Sequence, residues 1–161
     1  MGQTMKTMQL VRYRPEHYEQ VIALHRSARD ALLQMGQTIG ISELEEEADL
    51  RAIEQVYLQG GGEFLIGLID GAVMAMGGFQ RLTADSVELR RMRIRKDQQD
   101  RGYGGQLLRE LERVAFQSGI RVIKFETAKA RPLTLEFYYK HGYHETGSGS
   151  YFGVETVLFI R

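Results

Sequence analysis

The chain has 161 residues, 43% of them hydrophobic, which suits one folded domain with a core of its own. It contains no cysteine, excluding disulfides, thiolate metal sites and a cysteine nucleophile, and its 21 basic and 21 acidic residues cancel, so the electrostatic footprint of a nucleic-acid binder is missing. Apolar runs such as Ala72 to Met76 and Val154 to Ile160 are far too short to span a bilayer, and the first six residues lack the apolar core of a secretory signal, so a cytoplasmic protein without membrane association is expected.

Leu10 to Tyr13 alternates as a short first strand stopped by Pro15. Tyr18, Val21, Ile22, His25, Ala28 and Leu32 recur at helical spacing and predict an amphipathic helix of about five turns. Gln34 to Ile41 reads as a loop. Ser42-Glu43-Leu44-Glu45 then has the form of a capping box, opening a second helix with Leu44, Ala48, Ile53 and Val56 on its apolar side and ending before Gly60-Gly61-Gly62.

Glu63 to Ile69 and Ala72 to Arg81 flank Asp70-Gly71, the signal of a type I′ hairpin. A third strand of this group, Ser86 to Arg95, follows the Thr83-Ala84-Asp85 turn. After it come a glycine-rich turn and a helix bearing Leu107, Leu108, Leu111, Val114 and Ala115, ended by Gly119. Arg121 to Thr127 is a strand, and Pro132 opens a helix that runs to Lys140. Tyr143 to Ser148 and Tyr151 to Ile160 alternate as two strands, with Gly147-Ser148-Gly149-Ser150 as their expected connection. The order is β-α-α-β-β-β-α-β-α-β-β, with no internal repeat, and predicts an α/β chain with a mixed sheet.

The stretch Gln99-Asp100-Arg101-Gly102-Tyr103-Gly104-Gly105 carries the most chemistry. Three glycines in four positions admit a bulky anion close to the backbone, and the helix that follows turns its unpaired N–H groups toward the same point. Gly104-Gly105 leads into Gln106-Leu107 rather than Gly-Lys-Ser or Gly-Lys-Thr, which excludes a Walker loop; Leu107 stands where a dinucleotide fingerprint needs its third glycine. The turn therefore reads as a pyrophosphate site of another kind.

A strand, a polar loop and Gln-x-x-Gly-x-Gly opening a helix resemble motif A of the GNAT superfamily, the acetyl-coenzyme A dependent N-acetyltransferases, with Gln99, Gly102 and Gly104 at the fixed positions. A second resemblance lies in Leu135 to Tyr143, similar to the family's motif B, where Tyr138 stands four residues before Gly142-Tyr143. The resemblance covers nearly the whole chain. It implies a single GNAT domain over residues 1–161, with about seven strands, mostly antiparallel, and about four helices.

The resemblance further implies that Gln99, Arg101, Gly102, Tyr103, Gly104 and Gly105 hold the coenzyme pyrophosphate, that the Met92 N–H polarises the thioester carbonyl, and that the Ile94 backbone bonds the pantetheine. Arg95 and Lys96 are further cations for the phosphates, or a solvated loop. Tyr138 would protonate the departing thiolate; its alternative is a core residue beside Phe137. Glu88 would take the amine proton. Its alternative is a solvated carboxylate paired with Arg90 or Arg91, the proton then leaving through waters. Strand alternation sets Glu88, Arg90, Met92 and Ile94 on one side. Arg131 and Thr134 stand where many relatives have Asn and Ala, so the contacts of that Asn do not carry over.

His25, on the apolar stripe of the first helix, reads as a hydrogen-bonded core residue, and His141 and His144 lack a third placed ligand, so no metal is expected. The run Glu45-Glu46-Glu47 complements a helix dipole, with attraction of a cationic acceptor as the other reading. The implied activity is acetyl transfer from acetyl-coenzyme A to a primary amine of a small molecule by direct attack in a ternary complex. A peptide or protein acetyltransferase and a noncatalytic acyl-coenzyme A sensor are the alternatives. Family members commonly pair through their C-terminal strands, which makes a homodimer the oligomer to expect.

Overall fold

The computed structural model describes residues 6–34, 46–128, 132–151 and 154–161. Its strands are β1 (Gln9–Arg12), β2 (Glu63–Ile69), β3 (Ala72–Arg81), β4 (Ser86–Ile94), β5 (Val122–Ala128), β6 (His144–Tyr151) and β7 (Val154–Ile160). Its longer helices are α1 (Tyr18–Gln34), α2 (Tyr103–Gln117) and α3 (Pro132–Lys140). The strands form one sheet in the order β1-β2-β3-β4-β5-β7-β6. Every neighbouring pair is antiparallel except β4 with β5.

Each face of the sheet carries its own core. Val87 and Leu89 of β4, Phe79 of β3 and Phe125 of β5 pack with Leu107, Leu108, Leu111 and Ala115 of α2 and Tyr138 of α3. On the opposite face Phe64, Ile66, Val73 and Met76 meet Val21, Ile22 and Leu24 of α1 together with Leu50, Ile53 and Tyr57. This is how a mixed sheet buries both faces: the helix periodicities supply one apolar stripe for each side.

The β2–β3 hairpin turns at Asp70 and Gly71 with φ of 51° and 78°, the two positive values that a type I′ turn requires. The expected second helix differs. Ser42 to Glu45, its capping box, lie outside the described residues. Beyond Glu46 the backbone forms a 3-10 turn (Leu50–Ala52) and a π turn (Glu54–Leu58), not a continuous α-helix. Ala48 is exposed and Val56 only half-buried, whereas Leu50, Ile53 and Tyr57 are buried. Shifting the winding aims these three at the sheet and lets the Tyr57 hydroxyl donate to Asp49 at 2.5 Å.

The last two strands also divide elsewhere than expected: β6 runs on to Tyr151, the expected start of the final strand, and β7 begins only at Val154. Gly147 to Ser150, read as a connection, are paired residues of β6, and the ladder runs to Tyr151 opposite Val154. Backbone pairing with β7 overrides the low strand propensity of a Gly-Ser sequence.

One irregularity shapes the rest of the molecule. Met76 pairs with Arg93 and Gly78 with Arg90, so Arg91 and Met92 together oppose the single residue Gly77, a β-bulge in β4. Arg91 sits there at φ 61°, a left-handed conformation that costs a non-glycine residue about 1–3 kcal/mol. The bulge flips the alternation: Val87 and Leu89 before it, and Met92 and Ile94 after it, all pack on the α2 side. Glu88 and Arg90 therefore face the α1 side. The expectation that Glu88, Arg90, Met92 and Ile94 share one face fails because one extra residue intervenes.

Candidate active site

β4 and β5 pair only through Ser86 with Val122, Val87 with Ile123 and Glu88 with Lys124. Beyond Glu88, β4 bends at the bulge and stays with β3, while β5 continues along β7 from Lys124 to Ala128. The two parallel strands thus diverge and leave a slot in the sheet. Among the described residues no strand pairs with the slot side of Met92 to Ile94, which leaves the N–H groups there for an extended polar ligand, while the Met92 and Ile94 carbonyls accept from the Arg93 and Gln99 side chains.

The slot opens toward the glycine turn. After β4, Lys96–Gln98 forms a 3-10 turn, Asp100 takes φ 63°, and Gly102 caps α2 at φ 85°. A side chain at Gly102 would be strained, although no atom lies within 4 Å of where its Cβ would stand. The Gln106 N–H bonds the Gly102 carbonyl at 3.2 Å, so the amides of Tyr103, Gly104 and Gly105 precede that first helical bond and are available to an anion.

The side chains of the turn divide by task. The Gln99 amide donates to the Ile94 carbonyl at 3.1 Å, tying the loop back to the end of β4. Tyr103 is buried, and its hydroxyl donates to the Lys6 carbonyl at 2.6 Å, so any contact with an anion would fall to its backbone N–H. Arg101 is exposed beside Gly102. Arg95 is engaged by Asp97 through bonds of 2.6 and 2.7 Å.

α3 completes this wall. The Phe137 ring lies 3.4 Å from the position a Cβ would take on Gly104, with the Ile94 side chain 3.7 Å from the same point. End of strand, glycine turn and α3 thereby converge. Tyr138 is buried against Phe125 at a ring separation of 4.1 Å, with Phe137 at 5.0 Å and Tyr143 at 5.6 Å. The Tyr143 hydroxyl donates to Glu112 of α2 at 3.0 Å, which fastens the end of α3 to that helix. Tyr139 faces outward and donates to Glu145. Arg131 lies outside the described residues.

On the other face, Glu88 is part-exposed and meets the Arg90 guanidinium at 3.3 Å. Glu88 and Tyr138 therefore occupy opposite faces of the sheet, at the two sides of the slot.

The same face holds a buried ionic network that the sequence did not announce. Glu47 is fully buried and bound by Arg26 (3.0 Å, through both oxygens), Arg29 (2.8 Å) and Arg51 (3.2 Å). Glu46 accepts from His25 Nε2 at 2.8 Å and from Arg91 at 2.9 Å, while Arg91 also grips Asp49 at 2.6 and 3.0 Å and the Glu46 carbonyl at 2.6 Å. Burial pushes the Glu46 carboxyl up, but His25 and Arg91 more than reverse this and hold it down at about 2. Burial lowers His25, and the nearby Arg93 and Arg91 add to that, against the pull of Glu46. Its Nδ1 is buried with no hydrogen-bond partner among the described residues, which fits a neutral ring with the proton on Nε2.

Glu46 and Glu47 are thus bound internally, neither serving a helix dipole nor open to a cationic acceptor; Glu45 lies outside the described residues. Donor atoms of His25, Glu46 and Glu47 approach within 4.8 Å of one another, yet the surrounding guanidinium groups give the cluster the character of an ion-pair network. What sequence reading lacked was the partner: only the bulge brings Arg91 to Glu46 and Asp49.

A sequence model described as the Acetyltransferase (GNAT) family matches residues 17–143. No curated protein matches. Among solved structures, the chain resembles an acetyltransferase of the GNAT family from Staphylococcus aureus Mu50, with TM-score 0.85 and 21% identity over 96% of this chain and 98% of that one. It is also similar to the PaiA N-acetyltransferase of Thermoplasma acidophilum in complex with coenzyme A (TM-score 0.74, 18% identity, 95% and 98% covered). A ribosomal-protein-alanine N-acetyltransferase from Brucella melitensis matches with TM-score 0.72 and 16% identity over 95% and 98%.

Proposed function

Since this chain belongs to the GNAT acetyltransferase family, whose members carry out acetyl-coenzyme A dependent acyl transfer, we propose that it acetylates a primary amine of a small molecule by direct attack within a ternary complex. The observation that carries this reading is the slot between β4 and β5, with Glu88 on one face and Tyr138 on the other. An amine arriving on the α1 side and a thioester on the α2 side would meet only there.

The amides of Tyr103, Gly104 and Gly105 fit the pyrophosphate, with Arg101 as an added cation. The Ile94 backbone fits the pantetheine amide, and the Met92 N–H fits the carbonyl oxygen as it gains charge. Glu88 takes a proton from the neutral amine as the nitrogen bonds the carbonyl carbon and the carbon–sulfur bond breaks, and the proton passes from Glu88 to solvent. Tyr138 gives its hydroxyl proton to the leaving sulfur, ending in an N-acetyl amine and a free thiol.

A ribosomal-protein-alanine N-acetyltransferase similar in fold supports including peptides among the acceptors tried. A panel of small amines and peptides, read by free thiol released from acetyl-coenzyme A, tests the assignment. Turnover on a small primary amine, lost in Glu88→Gln, supports it. Turnover on peptides alone would replace the acceptor, and coenzyme binding with no transfer to any amine would remove the catalytic reading.

A further inference from the structure

We propose that Arg91 is a positioning residue: clamped by Glu46 and Asp49 on the acceptor face, it holds the β4 bulge that keeps the slot open and aims the Met92 backbone at the coenzyme face. This rests on the functional reading above for the role of the slot.

The position is unusual in its residue. A left-handed bulge position favours glycine, and an L-residue persists there when its surroundings over-determine it. Arg91 supplies the needed restraint through its side chain, with all three guanidinium nitrogens engaged. Its two carboxylate partners are themselves fixed, Glu46 by His25 of α1 and Asp49 by the Tyr57 hydroxyl. The restraint therefore comes from α1 and the 46–58 segment, and acts on a strand whose next residues turn to the other face.

The consequence falls one residue later. Met92 changes face at the bulge and packs toward α2, with its sulfur 2.5 Å from where a Cβ on Gly77 would stand. Gly77 makes room for Met92, and Arg91 determines where the strand crosses. With the clamp removed, the bulge would be free to relax toward regular pairing with β3, rotating the Met92 and Ile94 amides away from the slot. Displacements on the scale of one ångström at such groups cost up to about 100-fold in rate.

Arg91→Gln removes the clamp while keeping an L-residue at φ 61°, whose strain then favours relaxation of the bulge. The expected result is a folded protein whose dissociation constant for coenzyme A, measured by calorimetry, rises at least about 10-fold. Hydrogen exchange at the 92–94 amides should accelerate while exchange in the β2–β3 hairpin stays as in the wild type. Asp49→Asn, which keeps the Glu46 half of the clamp, should shift both readouts in the same direction by less. Wild-type coenzyme affinity and wild-type exchange at 92–94 in either folded variant would overturn the proposal. Coenzyme binding by the wild type without acetyl transfer would overturn the catalytic reading and leave this one standing.

Discussion

Glu88 and Tyr138 differ in what surrounds them, and that difference sets what their replacement should do. Tyr138 is buried among Phe125, Phe137 and Tyr143, so Tyr138→Phe preserves the ring packing. Its unfolding free energy should change by less than about 1 kcal/mol, while kcat on an identified amine falls roughly 10- to 100-fold through loss of the proton donor. Glu88 is part-exposed and only loosely paired with Arg90, so Glu88→Gln should leave stability within about 0.5 kcal/mol of the wild type and lower kcat/KM about 100-fold. Urea titration beside steady-state kinetics measures both pairs of values. Equal loss of stability and activity in Tyr138→Phe would reduce that residue to packing.

Two elements depend on glycines for separate physical reasons. Gly77, opposite the bulge, has no room for a side chain: its Cβ would meet the Met92 sulfur and stand 3.3 Å from both Leu107 and Leu111. Gly77→Ala should destabilise by about 1–3 kcal/mol, visible as a lower urea midpoint with an unchanged slope. Gly102 has space but holds φ 85° at the start of α2, where a carboxylate would also meet an incoming phosphate. Gly102→Asp should therefore weaken coenzyme A binding by about tenfold or more in a folded protein, since both the strain and the like charge act on the turn. Calorimetry with coenzyme A reads this directly.

Across the whole molecule, the buried network links α1, the 46–58 segment and β4, and it makes stability depend on pH. Glu46 titrates at about 2 in the folded protein against an ordinary 4.5, so its contribution is complete above 4.5 and disappears as pH falls toward 2. His25 is held below its ordinary 6.5, so as pH falls below that value the unfolded chain takes up a proton that the folded one resists, and stability declines there as well. Urea unfolding at a series of pH values from 7 downward should show stability falling in two stages, first below 6.5 and again below 4.5. Glu46→Gln should flatten the second stage and lower the plateau at neutral pH, because Arg91 and His25 lose a charged partner.

Much of this architecture was legible in the residues. Asp70-Gly71, Pro132 and the stripe from Leu107 to Ala115 each specify local geometry through turn chemistry or periodicity, and β2, β3 and α3 begin and end where those signals place them. The glycine turn was equally legible, since glycine spacing before a helix has few uses. The 46–58 segment was not, because its winding answers to the sheet beneath it; nor was β6, whose Gly-Ser sequence takes strand form only by pairing with β7. The order of the strands, the glycine turn ahead of α2 and the two motifs that mark the family are each carried by residues close together along the chain, where turn chemistry and periodicity act. Which face of β4 each residue occupies, how the slot opens and what holds Arg91 follow from pairing between distant segments, because a bulge adds one residue to one strand and its effect exists only against the neighbouring strand.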